Sequence, residues 1–309
     1  MTLPGGTAGD VPGEEPPAAP RILPGTDPAA IAEAAALLRG GRLVAFPTET
    51  VYGLGANALE AAAVARIFAV KERPAFDPLI VHLAEAADLV AHVVPEDAAD
   101  PRVARLAALF WPGPLTIVLR RREHIPGIVT AGLPTVGLRV PDHPVARALL
   151  RAAGVPVAAP SANRFGRVSP TRAAHVVRGL GDRVELVLDG GPCRVGVEST
   201  VILLAEGRAL LLRPGGLPAE AIEAEIGPLE VPVDEDAATA AIAPGRGGAH
   251  YATIARVELV DPARPGSAGR LRARPGERLG LLAASAPGAA AARTPGRPIP
   301  ALEILSEDG

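Results

Sequence analysis

The sequence predicts an α/β protein whose main domain covers residues 22–226. Three observations carry this reading. Short apolar runs of strand length are interspersed with segments of helical period, without strict βαβ alternation. No uninterrupted apolar stretch reaches about 18 residues, which excludes a transmembrane helix. A single cysteine, Cys193, excludes an internal disulfide and a Cys-cluster zinc site.

The elements follow in order. Residues 1–21 form a Pro/Gly/acid-rich tail, expected to be disordered because it has too little apolar surface to bury. It has neither the basic start nor the apolar centre of a secretory signal, so a cytoplasmic protein is expected. Thr26-Asp27-Pro28 starts a helix with a capping side chain and a proline in the first turn, and Gly40-Gly41 ends it. LVAF (43–46) is a buried strand, Leu59–Val70 a helix and LIVH (79–82) a strand. Helices are expected near 85–92 and 101–110, then the WPGP turn (111–114) with Trp111 in the core. Further strands are LTIVL (115–119), VGLRV (136–140), VPVAA (155–159), VELVL (184–188), STVILL (199–204) and ALLL (209–212), with helices near 144–152 and 170–179. Residues 227–253 read as a linker. In the remaining 254–309 segment TIARVELV (253–260, starting at the linker's end) and ERLGLLAA (277–284) are candidate strands, and the segment is marginal in length for a domain of its own.

Rare residues carry more information than the bulk composition of 48% apolar and 21% charged residues. Lys71 is the sole lysine among 31 basic residues, there is no glutamine, and the only asparagines are Asn57 and Asn163. A compact ammonium is a point charge, whereas guanidinium is a planar fork, so a retained lysine suggests a task arginine does not perform. Net charge is −3 over the whole chain but positive over 41–217, with 20 basic against 16 acidic residues. That balance suits an anionic ligand.

Some features point elsewhere and fail. Gly53-Leu54-Gly55-Ala56-Asn57-Ala58 fits a dinucleotide fingerprint, but PTETVY separates it from the strand and no ribose-binding acid follows at the right distance. No P-loop is present, and the six histidines (82, 92, 124, 143, 175 and 250) show no metal-ligand spacing. Arg120-Arg121-Arg122 reads as a loop after a strand. What remains is a set of small polar and basic residues at strand ends, helix ends and loops: Thr48, Glu49 and Thr50; Lys71 and Arg73; Thr135 and Arg139; Ser161 and Asn163; Ser169 and Thr171; Glu198, Ser199 and Thr200; Arg213. Hydroxyls, backbone amides and several cations suit a polyphosphate together with a small carboxylate.

FPTETVYGLGANA (46–58), KERPAFDPLIVHL (71–83), WPGPLTIVL (111–119), TVGLRVPDHPVA (135–146), APSANRFGRVSPT (159–171), DGGPCRVGVESTVI (189–202) and LLRPG (211–215) resemble, in order, the threonylcarbamoyl-AMP synthase family with its YrdC-like fold. PGRGGAHYAT (244–253) is similar to the linker of that family's longer branch. The resemblance implies a twisted mixed α/β sheet with helices around a large basic concave cavity, then a linker and a C-terminal part that is here short and incomplete, partial Rossmann-like or disordered. It implies joining of L-threonine, bicarbonate and ATP into threonylcarbamoyl-AMP and pyrophosphate, with Mg²⁺ carried by ATP. The product would be handed to a tRNA threonylcarbamoyl-transferase complex.

By the same resemblance, Thr50, His82, Arg139, Ala159 (through its backbone) and Ser199 contact threonine. Arg73, Asp77, Thr135, Ser161, Asn163, Ser169, Arg213 and Tyr251 contact ATP, and Lys71 and Arg73 carry the catalytic charge. Arg139 is expected to offer a bidentate fork to the amino-acid carboxylate. Asp77 stands where the family usually has asparagine, and would face Mg²⁺, phosphate or Arg73. Two other readings compete: a carbamoyl-transferring relative that forms a carbamoyl-adenylate, and a non-catalytic RNA-binding module. With Phe, Trp and Tyr at only 3% of residues, the chain offers no aromatic stripe for stacking bases.

Overall fold

Asp27 caps the first helix by accepting a hydrogen bond from Ala29 N at 2.9 Å, and Pro28 fills the first turn, so α1 (Pro28–Arg39) begins where its sequence directs. Its apolar stripe, Ala30, Ile31, Ala34, Ala35 and Leu38, is buried against α5 (Pro144–Ala153) and the strands beneath. α5 is capped by His143 Nδ1 and ends at Gly154, whose φ of +64° favours glycine.

The computed structural model describes residues 20–74, 77–232, 280–283 and 301–304. The chain divides into two compact units, 1–252 and 253–309. In the first, ten strands form one mixed sheet in the order β1-β8-β2-β3-β7-β4-β6-β5-β9-β10. These are β1 (Arg21–Pro24), β2 (Val44–Pro47), β3 (Tyr52–Asn57), β4 (Ile80–His82), β5 (Leu115–Arg120), β6 (Thr135–Arg139), β7 (Val157–Ala158), β8 (Leu186–Asp189), β9 (Thr200–Ala205) and β10 (Arg208–Arg213). The remaining helices are α2 (Ala61–Lys71), α3 (Pro95–Ala98), α4 (Pro101–Phe110), α6 (Ala173–Leu180) and α7 (Ala219–Ile226). α2, α4, α6 and α7 bury their apolar residues in the larger core, with Leu54, Val81, Ile117 and Leu138. In the second unit, β11 (Gly280–Ala283) and β12 (Ala301–Ile304) pair in parallel. The candidate strand at 253–260 lies outside the described residues.

Several elements differ from the sequence reading. Residues 52–57, to which the sequence reading gave no element, form strand β3. A Cβ on Gly55 would come within 2.8 Å of Phe46 and 2.9 Å of Val157, so that glycine permits close strand packing and not phosphate approach. β1, to which the sequence reading gave no element, starts at the expected boundary between tail and domain and is a short edge strand paired in parallel with β8. The helix near 85–92 is a 3₁₀ turn over Ala86–Ala91, and α6 starts at Ala173. α7 and β12 were not foreseen. Trp111 is buried as expected, donating from Nε1 to Leu115 O at 2.7 Å.

Candidate active site

The site is assembled from strand ends. β4 and β6 run parallel with His82 opposite Arg139, which sets both residues at one end of the sheet. The Thr48–Val51 turn joins β2 to β3 there, and Ala159 and Ser161 follow β7, tied in by Ala159 N to Ile80 O and by a bridge between Ser161 and Gly53. Ser199 precedes β9 and Arg213 ends the neighbouring β10. Together these segments enclose an open cleft of about 540 Å³, lined by Thr48, Thr50, Val51, Gly53, Arg73, Pro78, Leu79, Ile80, His82, Arg139, Ala159, Pro160, Ser161, Glu198, Ser199 and Arg213. A shallow depression beside it shares Pro78 and Leu79 with the cleft and is lined in part by Thr135.

The five residues expected at threonine therefore share one wall system with Arg73, Ser161 and Arg213. Thr135 lies next door, while Lys71, Asp77, Asn163 and Ser169 stand behind the surface. Tyr251 lies outside the described residues.

Hydrogen bonding fixes the polarity of the amino-acid end. Thr48 Oγ1 donates to Val51 O at 2.7 Å, so in its 2.8 Å contact with Thr50 the latter is the donor. Thr50 Oγ1 in turn accepts from Arg139 Nη2 at 3.0 Å and keeps one lone pair for a ligand donor. Arg139 is not the free fork expected of it. Its Nε donates to Gly113 O at 3.2 Å and Nη2 to Glu49 Oε1 at 2.6 Å, leaving Nη1 as the nitrogen with no bond among the described residues. His82 is pushed down to about 3, first by burial and then by Arg139, so its imidazole is neutral. Ser199 Oγ meets Thr116 Oγ1 at 2.8 Å, and Arg213 Nη2 donates to Ser199 O at 2.8 Å.

Lys71 differs most from its expected place. The side chain is 1% exposed, and Nζ donates to Ser161 O at 2.6 Å and to Asn163 O. Burial, then repulsion from Arg73, holds its ammonium well below the ordinary lysine range. Its bonds therefore shape the 161–163 loop and do not place the ammonium on the cleft wall. Asn163 acts within that loop, its Nδ2 bonding Arg164 O and Arg167 O, both at 2.7 Å. Ser169 donates to Glu198. Asp77 faces Arg73: the buried pair meets at 2.8 Å, and Arg73 also donates to Asp77 O and Pro78 O.

The roles of three contributors escaped the sequence reading. Glu49 was noted only as one of a polar cluster, Gly113 only as part of a turn, and Thr116 only as a strand residue. Gly113 and Glu49 carry a signal in their motif-like surroundings, WPGP and PTETVY; Thr116 carries none. The arginines of 120–122 all have protein partners, Asp97, Ile125 O and Val93 O among them.

Fold and cleft define an α/β protein with a polar, arginine-bearing cleft at the strand ends of its mixed sheet. Residues 36–215 match the Sua5/YciO/YrdC family model, described as telomere recombination. The chain belongs to this family. It is 49% identical over 235 residues to threonylcarbamoyl-AMP synthase of Pyrococcus abyssi, covering 75% of this chain and 68% of the relative. With the Bacillus subtilis threonylcarbamoyl-AMP synthase it shares 48% over 236 residues, 75% of this chain and 66% of that protein. The chain thus spans about two thirds of the length of these relatives. Among solved structures, P. abyssi Sua5 complexed with L-threonine superposes with a TM-score of 0.76 at 40% identity, covering 91% of this chain and 81% of that one.

Proposed function

We propose that the protein is an L-threonylcarbamoyladenylate synthase, a nucleotidyltransferase acting in tRNA threonylcarbamoyladenosine formation. The observation that carries this reading is the common cleft of Thr50, His82, Arg139, Ala159 and Ser199 with Arg73, Ser161 and Arg213, in a chain similar to a Sua5 bound to threonine. Arg139 Nη1 suits the threonine carboxylate, and the acceptor lone pair of Thr50 suits its ammonium or hydroxyl. The amine and bicarbonate give a carbamate and water. A carbamate oxygen then attacks the α-phosphorus of ATP, and pyrophosphate leaves.

Carbamate and α-phosphate are both anionic, so charge neutralisation and alignment matter more than a strong base. Arg73 and Arg213 supply the charge on the cleft wall. Thr135 beside the cleft and Ser161 on its wall extend the nucleotide site, and by the family resemblance Tyr251 contacts ATP. Mg²⁺ would enter with ATP as part of the substrate; among the described residues no group of three or more His, Cys, Asp or Glu is placed to hold a metal. By the family resemblance, the adenylate would be handed to a tRNA threonylcarbamoyl-transferase complex.

The test is pyrophosphate release from ATP and Mg²⁺ with bicarbonate and each amino acid in turn. Release requiring both bicarbonate and L-threonine is expected. Release with carbamoyl phosphate and no threonine would mark a carbamoyl-transferring relative, and tRNA binding without release under any mixture an RNA module.

A further inference from the structure

Glu49 is 1% exposed and does not line the cleft, yet it bonds three other segments, one of them through the cleft residue Arg139. Oε1 accepts from Arg139 Nη2 at 2.6 Å and Oε2 from Asp142 N at 3.0 Å. Its backbone carbonyl accepts from Val195 N at 2.8 Å, tying in the loop that leads to Ser199. Nη2 of Arg139 has two hydrogens, and Glu49 and Thr50 take both; Nε is held by Gly113 O. Only Nη1 retains hydrogens for a ligand.

We propose that Glu49 is a positioning residue for the amino-acid end of the cleft: it clamps Arg139 so that Nη2 is spent within the protein and Nη1 alone meets the ligand carboxylate. This rests on the reading that threonine binds at Arg139. The clamp exchanges strength for orientation. Glu49 neutralises Arg139, so by charge alone its removal would tighten binding of a carboxylate. By position, its removal frees the guanidinium to swing, loosens the Nη2 contact with Thr50 and weakens binding. The two arguments predict opposite signs.

The experiment is Glu49→Gln in the full chain, which keeps the side-chain volume and removes the charge. Pyrophosphate release is followed with threonine and ATP varied separately, and threonine binding is measured by calorimetry. KM for threonine should rise by about 10-fold or more, the scale of one charge-assisted hydrogen bond, while KM for ATP stays within about twofold. Glu49→Asp, which keeps the charge but falls short of Arg139, should shift threonine in the same direction by less, and it carries the test if Glu49→Gln does not fold. An unchanged or lowered threonine KM, or equal rises in both KM values, overturns the proposal. Arg139→Ala separates the levels: if it leaves threonine KM unchanged, threonine is not held at Arg139 and the underlying reading falls. If Arg139→Ala raises it and the Glu49 variants do not, only the role of Glu49 falls.

Discussion

Replacing Lys71 with methionine tests whether the buried ammonium works through the loop it holds. Methionine preserves volume but leaves Ser161 O and Asn163 O without their donor. Two charge-assisted hydrogen bonds are lost, roughly 1.5–3 kcal/mol each. Against this, an ion no longer has to be buried, which relieves an effective cost of several kcal/mol. The terms oppose, so net destabilisation should be about 0–3 kcal/mol, a fall in Tm below about 10 °C for a domain of this size. Activity should suffer more, because Ser161 lies on the cleft wall and a shift of about 1 Å in an aligned site costs on the order of 100-fold. Hydrogen exchange reads the loop directly. The amides of Ala162 and Phe165, bonded to Tyr52 O and Lys71 O, should exchange faster in Lys71→Met. Lost turnover with unchanged exchange at both amides would refute the reasoning and place the ammonium on the ligand itself.

The same lysine gives a stability prediction in alkali. Its folded-state pKa is depressed, so above that value the unfolded chain binds the extra proton and stability rises with pH up to the ordinary lysine range; the wild type should show this slope relative to Lys71→Met in denaturant titrations, and parallel curves would count against it. His82, at about 3 when folded and 6.5 when not, should make stability fall as pH drops through that interval, while its NMR signals stay those of a neutral ring from pH 5 to 8; an imidazole titrating near 6.5 would contradict the burial argument. Asp77→Asn removes the carboxylate from a buried arginine, so Tm should fall and KM for ATP rise; tighter ATP binding would show instead that Asp77 competes with phosphate. Thr116→Val, isosteric and far from solvent, should raise threonine KM more than ATP KM by releasing the Ser199 hydroxyl; equal kinetics would leave Thr116 a packing residue.

Much of this site could be read from sequence because its parts are local. A buried strand followed by Thr-Glu-Thr, or an apolar run ending in His82 or Arg139, places a polar group at the end of a strand without knowledge of its neighbours. Gathering those ends into one cleft needs only that the strands share a sheet, and Thr50, His82, Arg139, Ala159 and Ser199 do converge. The sheet order itself was not legible: β7 sits between β3 and β4 although it follows them by many residues, and β1 pairs with β8.

What stayed hidden was which donors are already occupied. Arg139 meets Glu49 across 90 positions, Lys71 meets Ser161 across 90, and Ser199 meets Thr116 across 83. No local pattern encodes such pairings, so the sequence shows a cation but not how many of its hydrogens remain. The lone lysine illustrates the difference. Its rarity marked it as chemically distinct from the surrounding arginines, and the structure supports that distinction for another reason. Two carbonyls converge on one buried point, which a compact ammonium on an unbranched stem can occupy with two of its three N–H donors. A planar guanidinium would need more room and would bring five donors to a place that presents two acceptors. Lysine is thus required by the geometry of a loop, and through Ser161 the loop carries that requirement to the cleft.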